Sequence, residues 1–114
     1  MEGMKRGDLV TFAVSGDYGK PRPALIVQDD AFAELPSVTL LQITSDVHDE
    51  HLIRITVQPD DGNGLLKPSQ VMVDRTMTVP RSKTGAVLGR LDSNTMAIVD
   101  AAMARFFGLG SRGL

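Results

Sequence analysis

Apolar and polar positions alternate with a period of two in residues 8–14 and 52–57, and a helical period appears only near the C-terminus. Residues 8–14 place Val10, Phe12 and Val14 on one side of a strand. Residues 24–27 have no polar side at all, which predicts a strand buried on both faces. A short helical turn is predicted in 29–36, where acidic N-cap candidates are followed by Pro36. Residues 38–43 form a third strand. Residues 52–57 alternate cleanly, with Ile53, Ile55 and Val57 inward and Arg54 and Thr56 outward. Residues 70–79 read as a strand interrupted by Asp74-Arg75, which predicts a bulge or the rim of a site, or else an exposed ion pair between the two. Residues 86–88 suggest a short last strand, with Gly89-Arg90-Leu91 turning the chain. Met96, Val99, Met103 and Phe106 then recur at helical spacing, capped ahead by Asp92-Ser93-Asn94 and stopped by Gly108.

Five or six short strands and one C-terminal helix predict a mainly β (α+β) fold, a small and mostly antiparallel barrel. Length and composition change this picture little. A chain of 114 residues, 42% hydrophobic, fits a single domain over 1–114, with 109–114 frayed. The absence of cysteine excludes disulfides, thiolate metal sites and cysteine nucleophiles. A net charge of −2 excludes a global field that would draw nucleic acid, so any such site is a local patch. No apolar signal core or membrane-length run is present, and a cytoplasmic protein without a membrane partner is expected.

Four places carry candidate chemistry. Residues 15–21 form an exposed loop that ends in Lys20-Pro21-Arg22-Pro23, so that Arg22 is held extended between two prolines at the mouth of a buried strand. Such a cation suits either a strand-edge ion pair or a poised anion ligand. Tyr18, the only Tyr, covers its own barrel or stacks on a nucleobase. Thr44-Ser45-Asp46 ends the third strand with hydroxyls that can face a ligand, although capping the turn is the simpler role for Ser45 and Asp46. His48 and His51 have two carboxylates between them, but they lie between strands and lack a third ligand at metal-binding spacing, so a solvated charged loop is expected. The acidic turn at 59–64 lacks the spacing of a calcium loop.

Several of these pieces occur in an order that resembles the MazF/PemK toxins of bacterial toxin-antitoxin modules. They are Arg6-Gly7-Asp8-Leu9-Val10, the run from Lys20 to Val27, Ile43-Thr44-Ser45, Gly64-Leu65, Leu66-Lys67-Pro68-Ser69 before a strand containing Asp74, and Leu88-Gly89-Arg90-Leu91 before the helix. The resemblance implies an SH3-like barrel of the MazF/PemK/CcdB type, a homodimer, and a MazE/PemI-like antitoxin as partner. It implies sequence-specific cleavage of single-stranded RNA, mRNA above all, with no metal and no cofactor. In that chemistry the ribose 2′-OH attacks the adjacent phosphate and leaves a 2′,3′-cyclic phosphate and a free 5′-OH. Arg22 and Thr44 fall on the family's catalytic positions. Tyr18, Lys20, Ser45, Asp74 and Arg75 are the expected substrate-binding residues.

A guanidinium suits charge stabilisation and a hydroxyl suits holding phosphate or the 2′-OH, but neither has the intrinsic pKa of a general base. The base is therefore open. The chain also departs from the family: Met72 and Met77 stand where several members carry further polar residues, and Arg75 is out of register, which leaves a second catalytic cation open. Two other functions fit a barrel of this size: a CcdB-like gyrase poison, and a noncatalytic module that binds a peptide or subunit.

Overall fold

The computed structural model describes residues 4–13, 20–48 and 53–110. Six strands, β1 (Asp8–Phe12), β2 (Arg22–Ile26), β3 (Ser37–Thr44), β4 (Arg54–Val57), β5 (Ser69–Pro80) and β6 (Thr84–Arg90), precede one helix, α1 (Ser93–Phe107). All strand pairs are antiparallel, in the order β4-β5-β3-β2-β1-β6. The predicted helical turn is a 3-10 turn at Asp30–Phe32, with Asp29 accepting from the Ala31 N–H. Val14, His51, Leu52 and residues 111–114 of the expected frayed tail lie outside the described residues.

The period-two pattern has a direct structural result. Leu9, Leu25, Leu41 and Ile43 point to one core, shared with Val71, Val73 and Val99 of α1. Val10, Ala24, Ile26, Val38 and Leu40 point to the other. Neighbouring residues thus alternate between two cores on opposite faces of the sheet. Residues 24–27 are buried on both faces, as their wholly apolar sequence predicts. Ile53, Ile55 and Val57 face the helix-side core, also as predicted.

Helix α1 closes that core with Met96, Val99 and Met103, whereas Phe106 is exposed. Asp92 caps it, its Oδ1 accepting from the Thr95 N–H at 2.6 Å, and the hydrogen bonds from Thr95, backbone first and side chain second, hold the Asp92 carboxyl below its ordinary pKa. Gly108 ends it in the left-handed region, φ 70°. Arg6 ties the helix to the sheet, donating to the Val27 carbonyl at 2.9 Å and pairing with Asp100 at 2.6 Å.

Two expectations change. The last strand runs from Thr84 to Arg90, not 86–88, and Gly89 and Arg90 belong to it through pairing with Leu9 and Asp8. Two glycines and a terminal Arg hide this strand from an apolar pattern, since its pairing is made by backbone. The barrel also differs in how it closes. The ladder is open between β4 and β6 among the described residues. The gap is filled by the β4–β5 loop, whose Gly62 carbonyl accepts from the Arg90 N–H at 2.8 Å. Asn63, 1% exposed, holds that loop in shape. Its Oδ1 accepts from the Asp60 and Leu65 N–H groups, and its Nδ2 donates to the Gln58 carbonyl at 2.9 Å. The Asp60 carboxylate is occupied in the same turn, accepting from the Gly62 and Asn63 N–H groups.

Candidate active site

Arg22 is the first residue of β2, where the two flanking prolines fix the approach of the chain and Phe12 of β1 is its backbone partner. On the other side, β2 pairs with β3 so that Ala24 lies opposite Gln42. Continuing that register by two residues sets Arg22 across from Thr44, the last residue of β3. A cavity of about 210 Å³ opens at this corner, lined by Arg22, Thr44, Ser45, Gln42, Ser69 and Met72 among others. The two residues that the resemblance marks as catalytic, 22 positions apart in the chain, therefore share one cavity.

Thr44 Oγ1 accepts from the Asp46 N–H at 3.0 Å. The hydroxyl that caps this turn thus belongs to Thr44, not to Ser45 or Asp46 as the sequence suggests, because the strand runs through residue 44 and the turn begins just beyond it. Using an oxygen lone pair in this way leaves the Thr44 O–H as a donor toward the cavity. The Asp46 carboxylate instead meets His48 Nε2 at 3.1 Å.

Gln70 is the residue that sequence reasoning passed over. It lies opposite Thr44 in the β3–β5 ladder, is 2% exposed, and spends its carboxamide on the loop that leaves the site. Its Oε1 accepts from the His48 N–H at 3.1 Å, and its Nε2 donates to the His48 carbonyl at 3.0 Å and to Thr56 Oγ1 at 3.1 Å. His48 is thus pinned through its backbone, while its side chain stays exposed beside Asp46, as expected of a solvated charged loop. The signal in the sequence was a polar pair, Ser69-Gln70, at the start of an apolar run. Gln70→Leu fills the space but removes the carboxamide's hydrogen bonds with the His48 N–H and carbonyl and with Thr56 Oγ1, so a loss of about 1–3 kcal/mol is expected in urea denaturation. A loss below about 0.5 kcal/mol would show that the carboxamide does not hold this turn.

The Asp74-Arg75 interruption is a bulge. Leu41 pairs with Thr76, but Ile43 pairs with Val71, so Gln42 alone faces the stretch 72–75. The alternation reverses across it: Val71 and Val73 enter the helix-side core, whereas Met77 and Val79 pack on the other. Among the described residues Asp74 Oδ1 is buried without a hydrogen-bond partner, and Arg75 Nε lies 3.8 Å from Asp74 Oδ2. Neither Asp74, Arg75 nor the exposed Lys20 lines the 210 Å³ cavity. Tyr18 lies outside the described residues. Among the described residues, no group of three or more His, Asp or Glu is placed to hold a metal ion, and no helix is long and apolar enough to cross a membrane.

The sequence pattern of the family described as "PemK-like, MazF-like toxin of type II toxin-antitoxin system" matches residues 5–107. The chain belongs to this family. The protein named "Probable endoribonuclease MazF" of Mycolicibacterium smegmatis is 43% identical over 107 residues, which is 93% of this chain and 98% of that one. The Mycobacterium tuberculosis toxin MazF-mt6 superimposes with a TM-score of 0.78 at 27% identity, covering 91% of this chain and 99% of that one. An endoribonuclease in complex with its cognate antitoxin, from a mycobacterial species, gives the same TM-score at 22% identity over 97% and 99% of the two chains, which is a likeness of fold. Six antiparallel strands and a C-terminal helix are thus the MazF-like toxin fold. Membership of this family leaves the gyrase-poison reading without support.

Proposed function

We propose that this chain cuts single-stranded RNA at short sequences, mRNA foremost, with Arg22 and Thr44 as its catalytic residues and no metal. It is an endoribonuclease toxin of the MazF type, from a toxin-antitoxin module. The observation that carries the mechanism is the shared cavity of Arg22 and Thr44. In the reaction the ribose O2′ bonds to the adjacent phosphorus, the P–O5′ bond breaks, the 2′-OH proton leaves to a base, and O5′ takes up a proton. Negative charge builds on the non-bridging oxygens as the fifth bond forms. A guanidinium is permanently charged and presents a planar fork to two such oxygens, and in a partly enclosed site this counts for more than it would in water. The Thr44 O–H donates to phosphate or positions the 2′-OH, its rotamer set by the hydrogen bond from Asp46. Because the nucleophile is a hydroxyl of the substrate, no water has to be activated. Asp74, beside the Gln42 edge of the site, is a further substrate-binding residue. Ser45 lies in the cavity, and Ser45, Lys20, Arg75 and Tyr18 are further substrate-binding residues.

The match over residues 5–107 supports one toxin domain; in this reading it acts in the cytoplasm as a homodimer. Its antitoxin blocks growth inhibition by covering the basic and apolar surface around Lys20 and Arg22, where an acidic segment finds complementary charge. The test is cleavage of a single-stranded RNA in excess EDTA, with the ends identified chemically. Products whose 5′ ends accept phosphate from a kinase directly, with cyclic phosphate at the 3′ ends, are expected, and bound antitoxin protects the RNA. Cleavage that EDTA stops, or that leaves 5′-phosphates, would replace this mechanism with a metal-activated water.

A further inference from the structure

A second cavity, of about 320 Å³, adjoins the first and shares Pro23, Ser45 and Ser69 with it. Its walls are the ring of Pro21 and the side chains of Leu65, Leu66 and Leu88, and its polar groups are Thr11, Ser45, Ser69 and Lys67. At its mouth Leu66 is 95% exposed, which the fold does not require, since nothing in either core touches it. The loop that presents Leu66 is nevertheless built. Ser69 Oγ donates to the Lys67 carbonyl at 2.9 Å, and the Asn63 carboxamide fixes the Leu65 N–H.

We propose that this cavity is a nucleobase subsite, which takes one base next to the scissile phosphate and makes Leu66 and Lys67 determinants of the cleavage sequence. The inference rests on the RNA-cutting role given above and locates the specificity of that same site. Three features select a base. The volume lies at the lower end of the roughly 300–1,000 Å³ range of small-molecule sites, enough for one ring system. Apolar walls with hydroxyls and one cation among them match a flat ring that must be held on its faces and read at its edge, as single-stranded RNA bases are. An apolar side chain of a protein would leave those hydroxyls and Lys67 without purpose. Finally, the three shared residues make the cavity continuous with the place where Arg22 and Thr44 meet, so a strand with its phosphate at Arg22 has a neighbouring base at this opening.

The experiment uses the full chain and an RNA oligonucleotide around a mapped cleavage site, with 2′-deoxyribose at the scissile nucleotide so that it binds but is not cut. Abasic nucleotides are introduced one position at a time, and Kd is measured for the wild type and for Leu66→Ala and Lys67→Ala. Because Leu66 is exposed, Leu66→Ala is expected to fold as the wild type does, which a thermal melt verifies. At one position beside the scissile phosphate, the abasic substitution is expected to weaken wild-type binding about tenfold or more, and Leu66→Ala by itself to remove most of that difference. If no position shows an abasic effect that depends on Leu66 or Lys67, the cavity holds no base and the proposal is overturned. It is equally overturned if these variants keep the abasic profile and instead lose affinity for the antitoxin, which would make the cavity a protein-docking site. A wild type that cuts no RNA fails earlier, at the mapping of the cleavage site, and then the RNA-cutting role itself falls.

Discussion

Arg22→Ala is expected to reduce kcat/KM for RNA cleavage by about three orders of magnitude, with the purified protein still folded. Loss of one preorganised donor to a developing oxyanion costs about 10²–10³ in rate, and here the group removed also carries the charge. Arg22→Lys is expected to recover only part of the loss, because an ammonium keeps the charge but not the bidentate fork. Stability should change little. Arg22 is exposed at the first position of β2, its pairing with Phe12 is made by backbone, and Ala preserves both that pairing and the phase of Pro23 and Ala24 behind it. Single-turnover cleavage and thermal melts on the same preparations separate the two effects. A variant that melts like the wild type and cuts at the full rate would remove Arg22 from the mechanism; one that melts many degrees lower would show that the Pro21-Arg22-Pro23 corner holds the fold.

How much of this was legible beforehand differs between the strands and the way they are joined. The alternation in β1 and β4, and the wholly apolar run of β2, predicted which residues are buried because burial acts on side chains, one face at a time, and the sequence records side chains. Arg22 and Thr44 were legible as a pair only through the resemblance, since their meeting depends on the β2–β3 register, a contact distant in sequence. Asp74-Arg75 was readable as a bulge because two charges cannot enter either core. The reversal of facing across it was not, since that depends on how many residues Gln42 must span. Gln70 and the full length of β6 were missed for one common reason. Both act through backbone groups, Gln70 by pairing with those of His48 and β6 by pairing with β1, and an apolar pattern has no term for such contacts. The closure of the barrel by loop, not by ladder, escaped on the same ground.

That closure yields a large stability effect expected from one added methyl group, at Gly89. A Cβ built there would meet the Gly62 carbonyl oxygen and lie 2.6 Å from the Asn63 carbonyl carbon, both backbone atoms. Neither can swing aside as a side chain would. Gly62 O is the acceptor for the Arg90 N–H, and Asn63 is buried and bonded through both its amide atoms. Gly64 repeats the constraint from the other side, with φ +72° and its position for a Cβ occupied by the Leu88 backbone. Gly89→Ala must therefore push the β4–β5 loop from β6, losing the Arg90–Gly62 hydrogen bond and the packing of Asn63. A destabilisation of about 2–4 kcal/mol is expected, which for a domain of this size lowers Tm by roughly 8–17 °C. Gly62→Ala is the matched control, because a Cβ there meets only Asp60 Oδ1, at an ordinary 3.5 Å, and a change within about 1 kcal/mol is expected. Equal melting of the two variants would show that the loop yields freely and that β6 is held by β1 alone. The difference should also reach function, since this loop carries Leu65, Leu66 and Lys67 into the second cavity: below its Tm, Gly89→Ala should discriminate between RNA sequences less sharply than Gly62→Ala.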